Sequence, residues 1–179
     1  MTRSATDVRE FCLRSLNVMS TDDVAEFEAL IHPDATNREA VDEPPDCRGT
    51  GPAAFLATAR WLTTAFSDLR WDVHEVVEDG DLVVVRATMS GRQTGPFVAY
   101  GADARPEAVF PPTGRTFAVS QTHWFRMSDE KVIEHWANRD DLGMGKQLGW
   151  TPPSPIYLVR MLIATRRAGR SGGGGQRRG

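Results

Sequence analysis

The chain has 179 residues, 40% hydrophobic and 25% charged, which suits one soluble globular domain built on one core. No apolar run approaches the roughly 20 residues needed to span a bilayer. The first eleven residues also lack the apolar stretch of a signal peptide, so the expected compartment is the cytoplasm, with no stable membrane association. Six of the 21 basic residues lie beyond Pro152 with no acid among them, leaving 15 basic against 24 acidic residues before that point. A body this acidic excludes a nucleic-acid-binding surface.

Asp7 to Met19 reads as a helix, because Val8, Phe11, Cys12, Ser15 and Leu16 follow the i, i+3, i+4 spacing. A second helix, capped by Ser20 or Thr21, turns Val24, Phe27, Leu30 and Ile31 inward and stops near Pro33. Thr36 to Val41 reads as a short strand, and the proline-rich segment from Asp42 to Gly49 as an extended loop. Gly51-Pro52 opens a third helix with Phe55, Ala59, Leu62 and Phe66 on its buried stripe. Leu69–Glu78 and Leu82–Ser90 read as strands joined at the turn Asp79-Gly80-Asp81. The glycine- and proline-rich connection from Gly91 to Gly114 is too long for an idle loop and is expected to cover a pocket. Arg115–Met127 and Val132–Asn138 are the remaining strands. A short helix, capped by Asp140 or Asp141, runs through Leu148.

Prolines 152, 153 and 155 end the domain, and Ile156–Arg167 forms a basic amphipathic helix packed on the body or on a partner subunit. The expected division is 1–152 for the main domain, 153–168 for this helix and 169–179 for a disordered glycine- and arginine-rich tail. Three helices followed by an antiparallel meander give an α+β class, with a curled sheet closed on one side around an interior. Cys12 and Cys47 fit no C-x-x-C or zinc spacing and read as reduced thiols. The histidines at 32, 74, 123 and 135 show no H-x-H or H-x-x-x-H spacing, so no metal is expected.

One ordered set of motifs goes further. Phe125-Arg126 is followed by Glu134, Trp136 and Asp140 in an E-x-W-x-x-x-D stretch, and then by Gln147-Leu148-Gly149. Upstream stand Ala65-Phe66-Ser67-Asp68-Leu69, Gly80-Asp81-Leu82-Val83, Gly91 to Gly95 and Pro112-Thr113-Gly114. From about Asp7 to Trp150 this order resembles the SnoaL-like polyketide cyclase (ester cyclase) family of the nuclear transport factor 2-like superfamily. The resemblance implies a cone: a curved, mostly antiparallel sheet wrapped by three N-terminal helices around an apolar pocket. It also implies intramolecular aldol ring closure of a polyketide or similar polycarbonyl compound by acid/base catalysis, without a cofactor. Two positions depart from the family pattern. Gln93 stands where many relatives have histidine, and Ala137 where some carry an acid after the last-strand tryptophan.

An aldol closure needs a group to take a proton from a carbon between two carbonyls, and an acid for the carbonyl attacked. The resemblance makes Asp140 the lead acid/base, with His123 and Glu134 behind it. Gln121, His123 and Phe125 share a strand face with Phe117, and Trp136 and Asn138 share one with Glu134. With Gln93, these side chains (Gln121, Phe125, Phe117, Trp136 and Asn138) are the candidate substrate-binding groups. Each catalytic candidate has an ordinary structural reading beside the chemical one: a satisfied core histidine for His123, a helix N-cap for Asp140 and a cross-strand ion pair for Glu134. The expected partners are a small apolar or polycarbonyl ligand and, through the exposed sheet face, a second copy in a homodimer. A non-catalytic binding protein of the same fold, an isomerase or an epoxide hydrolase remain alternatives.

Overall fold

The computed structural model describes residues 5–151 and 154–171. Two helices, α1 (Ala5–Asn17) and α2 (Val24–Leu30), lead into β1 (Ile31–Asn37). Two short 3-10 turns, Arg38–Asp42 and Pro45–Arg48, connect β1 to α3 (Gly51–Ala65). Then come β2 (Phe66–Asp79), β3 (Leu82–Gln93), β4 (Phe97–Tyr100), β5 (Pro106–Phe110), β6 (Thr116–Ser128), β7 (Lys131–Arg139), α4 (Asp141–Leu148) and α5 (Pro155–Ser171).

Five strands form one sheet in the order β1-β7-β6-β3-β2, antiparallel except where β1 runs parallel to β7. The edge strands β1 and β2 do not pair, so the curved sheet stays open rather than closing into a barrel. Alternation fixes which face is buried: Leu69, Trp71 and Val73 of β2, Val83, Val85 and Ala87 of β3, and Phe117, Val119 and Phe125 of β6 all point into the core. Phe27, Phe55 and Ala59 of α2 and α3 close over that face. The α+β cone implied by the sequence is therefore the architecture seen.

The differences from the sequence reading have local causes. The cap of α2 is Asp23 rather than Ser20 or Thr21; its side chain accepts from the Glu26 amide at 3.1 Å. Thr21 instead turns its hydroxyl back to the Val18 carbonyl. The first strand begins at Ile31 rather than Thr36 and runs through Pro33, which an edge strand tolerates because proline's missing N–H leaves no ladder bond broken there. Of the connection from Gly91 to Gly114, the first three residues extend β3, and Phe97–Tyr100 pairs with Pro106–Phe110 in the separate hairpin β4–β5. Trp61 of α3 holds that hairpin by donating to the Val98 carbonyl at 3.0 Å. The last helix, α5, continues past 168 to Ser171, and residues 172–179 lie outside the described residues. It packs on β5: the Tyr157 hydroxyl donates to the Pro111 carbonyl at 3.0 Å, and the Val109 amide donates to the Thr165 hydroxyl at 3.1 Å. Among the described residues no helix is long and apolar enough to cross a membrane.

Gly51 locks α3 onto β1. It sits at φ +75°, and a β-carbon there would run into the Pro33 carbonyl oxygen. Gly51→Ala therefore combines left-handed strain with a backbone clash, and should cost at least about 1–3 kcal/mol of unfolding free energy in urea denaturation. An unchanged denaturation midpoint would mean that α3 is not held there.

Candidate active site

The cone encloses a cavity of about 490 Å³. Apolar side chains dominate its wall: Leu16, Phe55, Trp71, Met89 and Phe125 from the helices and sheet, with Phe97 and Phe110 from the β4–β5 hairpin. The polar groups reaching it come mostly from one side. They include Asn37 at the end of β1, Glu39 and Glu43 just beyond it, Gln121 and His123 on β6, and His135 and Arg139 on β7.

Four of these side chains form a continuous chain across the sheet. The Trp71 indole N–H donates to Gln121 Oε1 at 3.0 Å, and His123 Nε2 lies 2.9 Å from the same oxygen. His123 Nδ1 faces His135 Nε2 at 3.0 Å, and His135 Nδ1 faces Asn37 Oδ1 at 2.9 Å. The register Asn37↔His135 in the parallel β1–β7 pair places the last contact, and His123↔Ala137 with Phe125↔His135 in the β6–β7 pair brings the two rings together. Both ends of the chain are acceptors. Asn37 Oδ1 also takes the Glu39 amide at 3.2 Å, as Gln121 Oε1 takes the indole. Three contacts therefore lie between two fixed acceptors, whereas two neutral imidazoles supply only two N–H groups. The neutral pair is one proton short of satisfying every contact.

Burial holds the pair neutral all the same. His123 is pushed down to about 3, first by desolvation and then by the positive Arg139. His135 is also lowered well below 6.5, by desolvation first, then by His123 and Arg139.

A carboxylate stands beside position 137 even though the residue there is alanine. Glu39 reaches over from the turn after β1 and accepts the Ala137 amide at 3.0 Å. Arg139 lies 3.6 Å from Glu39 and 3.6 Å from Asp141. Glu43 is only 3% exposed. Its carboxyl accepts the Thr58 hydroxyl, and desolvation raises its pKa above the usual range. The neighbouring Cys47 thiol is pushed up to about 12, by burial first and then by Glu43.

His123, Gln121 and Phe125 thus meet in the cavity wall. The other sequence candidates lie elsewhere. Along β7 the side chains at 135, 137 and 139 face inward, so 134, 136 and 138 face outward. Glu134 pairs on the outer face with Arg38 at 2.7 Å and with Arg126 at 3.6 Å. Trp136 stacks on Trp124 with centroids 5.9 Å apart, and Arg38 covers its ring. Asn138 accepts the Trp124 indole N–H at 3.3 Å. Asp140 is exposed, and its carboxylate caps α4 by accepting the Gly143 amide at 2.8 Å. Gln93 is fully buried but ties down the covering segment: it donates to the Phe110 carbonyl and accepts from the Trp150 indole. Phe117 packs behind the wall against Phe66, with centroids 5.2 Å apart.

Sequence reasoning missed Asn37, Glu39, Glu43, His135 and Arg139 as cavity groups. The inward alternation of His135, Ala137 and Arg139 was a signal available for two of them. The other three depend on a parallel pairing that no local pattern announces.

Known proteins place this geometry. Aklanonic acid methyl ester cyclase DnrD of Streptomyces peucetius is 35% identical over 144 residues, covering 80% of this chain and 89% of that protein. Aklanonic acid methyl ester cyclase DauD of Streptomyces sp. strain C5 is 34% identical over 145 residues, covering 80% of each. The structure of TsrD from Streptomyces laurentii superposes with a TM-score of 0.66 at 26% identity, over 83% of this chain and 98% of that one. A SnoaL-like polyketide cyclase from Agrobacterium tumefaciens, with a TM-score of 0.59 at 14% identity over 83% of this chain and 100% of its own, shares the fold. The family model described as SnoaL-like polyketide cyclase matches residues 8–148, and the chain belongs to that family.

Proposed function

We propose that this cyclase closes a carbocyclic ring in aklanonic acid methyl ester or a close polycarbonyl analogue, with the His123–His135 pair as the base. The observation that carries this reading is the proton-short chain of two imidazoles, His123 buried and His135 part-buried, in the wall of a largely apolar cavity. A neutral imidazole is what a base must be before it acts. A proton taken from the substrate would complete all three contacts of the chain, which offsets part of the cost of burying the charge.

The steps follow from the residues. The apolar wall takes up the apolar body of the substrate and holds the reacting carbons together, which is worth on the order of several kcal/mol of barrier. The methylene between two carbonyls gives its proton to a ring nitrogen of the imidazole pair, which must first turn from its partner in the chain toward the substrate. The enolate oxygen that forms is stabilised by the Arg139 guanidinium, which lines the cavity and also pairs with Glu39 and Asp141. The enolate carbon attacks a second carbonyl of the same molecule, a carbon–carbon bond forms, and the alkoxide is protonated. No net oxidation occurs, so the chemistry as written consumes no cofactor.

The test is turnover of aklanonic acid methyl ester, followed chromatographically. His123→Gln keeps hydrogen-bonding capacity but cannot take the proton, and should lose about 10²-fold or more in kcat. Asp140→Asn keeps a capping oxygen, so stability should change by less than about 1 kcal/mol and turnover should be almost unaffected. The opposite order, with Asp140→Asn dead and His123→Gln active, would overturn the reading. Ligand binding without turnover by the parent protein would make it a binding protein.

Neutral buried histidines also leave a mark on stability. Between pH 6.5 and about 3 the unfolded His123 binds a proton that the folded one refuses. Stability from this source is therefore complete above pH 6.5 and is lost as pH falls, by about 1.4 kcal/mol per unit for one imidazole. His123→Gln should flatten the acid side of the curve of unfolding free energy against pH. An unchanged slope would mean that His123 is charged in the folded chain.

We also propose a cytoplasmic homodimer joined through the outer sheet face. The support is the stacked Trp124–Trp136 pair with Arg38 on that face, a type of aromatic and arginine cluster that subunit interfaces favour. Light scattering at micromolar concentration should give twice the chain mass, and Trp136→Glu should halve it. A parent protein that scatters as a monomer would contradict the assignment.

A further inference from the structure

A base alone does not finish an aldol closure. The carbonyl oxygen under attack gains a full electron pair and needs a proton. Glu43 is a buried titratable group in the cavity wall that the steps above do not use. It sits between the two 3-10 turns that join β1 to α3, a segment fixed by Arg48, which donates to the Glu43 carbonyl at 3.0 Å and to the Gly101 carbonyl at 2.8 Å.

Its surroundings suit a carboxylic acid that gives up a proton and takes it back. Among the described residues no arginine, lysine or histidine lies within ion-pair distance of its carboxyl; the groups at hydrogen-bond distance are the Thr58 hydroxyl and the Cys47 thiol. A buried carboxylate without a cation is costly, so burial favours the form that keeps its hydrogen. In that state the Glu43 hydroxyl donates to Thr58 Oγ1, and Thr58 passes its own hydrogen to the Ala54 carbonyl at 3.4 Å. Once Glu43 has lost its hydrogen, the same threonine turns its hydroxyl toward the carboxylate, and the Cys47 thiol donates as well. Both protonation states find partners without movement of the backbone. The charged groups that share the cavity are Arg139 and Asp141 at the end of β7 and start of α4, Glu39 and Asp42 on the turn before it, and Glu107 on β5. Arg139 favours the ionised form and Glu39 opposes it, and burial outweighs both.

We propose that Glu43, held by Thr58 and Cys47 in the cavity wall, is the acid of the ring closure and gives its carboxyl hydrogen to the carbonyl oxygen that becomes the ring hydroxyl. This rests on the reading of the cavity as a cyclase site. The substrate C–H bond breaks and its proton goes to the His123–His135 pair. The enolate carbon forms the new carbon–carbon bond, the carbonyl π electrons move to oxygen, and that oxygen takes the Glu43 proton. The carboxylate left behind regains a proton as the imidazole pair releases its own through solvent when product leaves, so the chain returns to its starting state. Burial biases the acid and the base alike toward their neutral forms: it raises the carboxyl and lowers the imidazoles.

Two measurements test the assignment. The first follows aklanonic acid methyl ester in deuterium oxide with parent, Glu43→Gln and His123→Gln proteins, reading ring closure by chromatography and exchange of the acidic carbon-bound hydrogen by mass spectrometry. Glu43→Gln should lose about 10²-fold or more in ring closure yet still exchange hydrogen, because the base step survives. His123→Gln should lose both. Ring closure by Glu43→Gln at the parent rate overturns the role of Glu43 alone. Neither exchange nor closure by the parent protein overturns the cyclase reading on which it rests. The second needs no turnover and guards against a variant that misfolds. The infrared spectrum of the parent protein at pH 7 should contain the carbonyl stretch of a protonated carboxylic acid, absent from Glu43→Gln and lost at higher pH together with activity. A parent spectrum without that band means that Glu43 is ionised at rest, and overturns the proposal.

Discussion

The contact between His123 and His135 is the constraint on which the site depends. It joins β6 to β7, and through Gln121–Trp71 and Asn37 it extends to β2 and β1, so one polar chain crosses the floor of a cavity whose wall is mostly apolar. Such a chain is tolerated only if its members satisfy one another, because an unpaired polar group in this setting costs more than a hydrogen bond returns. Two acceptors fix its ends, and two neutral rings leave it one proton short. The hydrogen bonds that are made bind the strands together, and the contact left short gives the site a place for a proton. Stability and proposed chemistry rest on the same four side chains.

The surrounding structure covers that chain. The β4–β5 hairpin lies over the cavity, held by Trp61 from α3 and by Tyr157 and Thr165 from α5. Gln93 anchors the same covering segment from beneath, through the Phe110 carbonyl and the Trp150 indole. Position 93, where the family pattern leads to the expectation of a histidine, is thus occupied by an amide that serves the cover rather than the cavity. Position 137 shows the complementary change. The side chain is a methyl, and a carboxylate still arrives there from Glu39 on the other side of the β1–β7 pair.

How far the sequence could be read follows from these particulars. Periodicity marked α1, α3 and the long strands, because each buries one face over many residues. The ordered motifs from Ala65 to Gly149 then pointed to the family, and His123, Gln121 and Phe125 fell on one face by simple alternation. Asp140, Glu134, Trp136 and Asn138 were drawn from the motif, yet they lie outside the cavity. A strand pattern shows which residues share a face but not which face is inside when one carries tryptophan, the other histidine and both carry charge, as in β7. Asn37, Glu39 and Glu43 were invisible for a different reason. They belong to an edge strand running through a proline and to two short turns, and only the long-range parallel pairing with β7 carries them to the cavity.

The central claim is that the chemistry lies on the inner face of β6 and β7, at the paired imidazoles, and not at the motif acids outside. The structure of the protein with its ring-closed product bound tests this most directly. The account predicts the product inside the cone, its apolar rings against Trp71 and Phe55, its newly formed ring against His123 and His135, and a carbonyl oxygen within hydrogen-bond distance of Arg139. A product seated on the outer face beside Glu134 and Trp136, or against Asp140 at the start of α4, would contradict it.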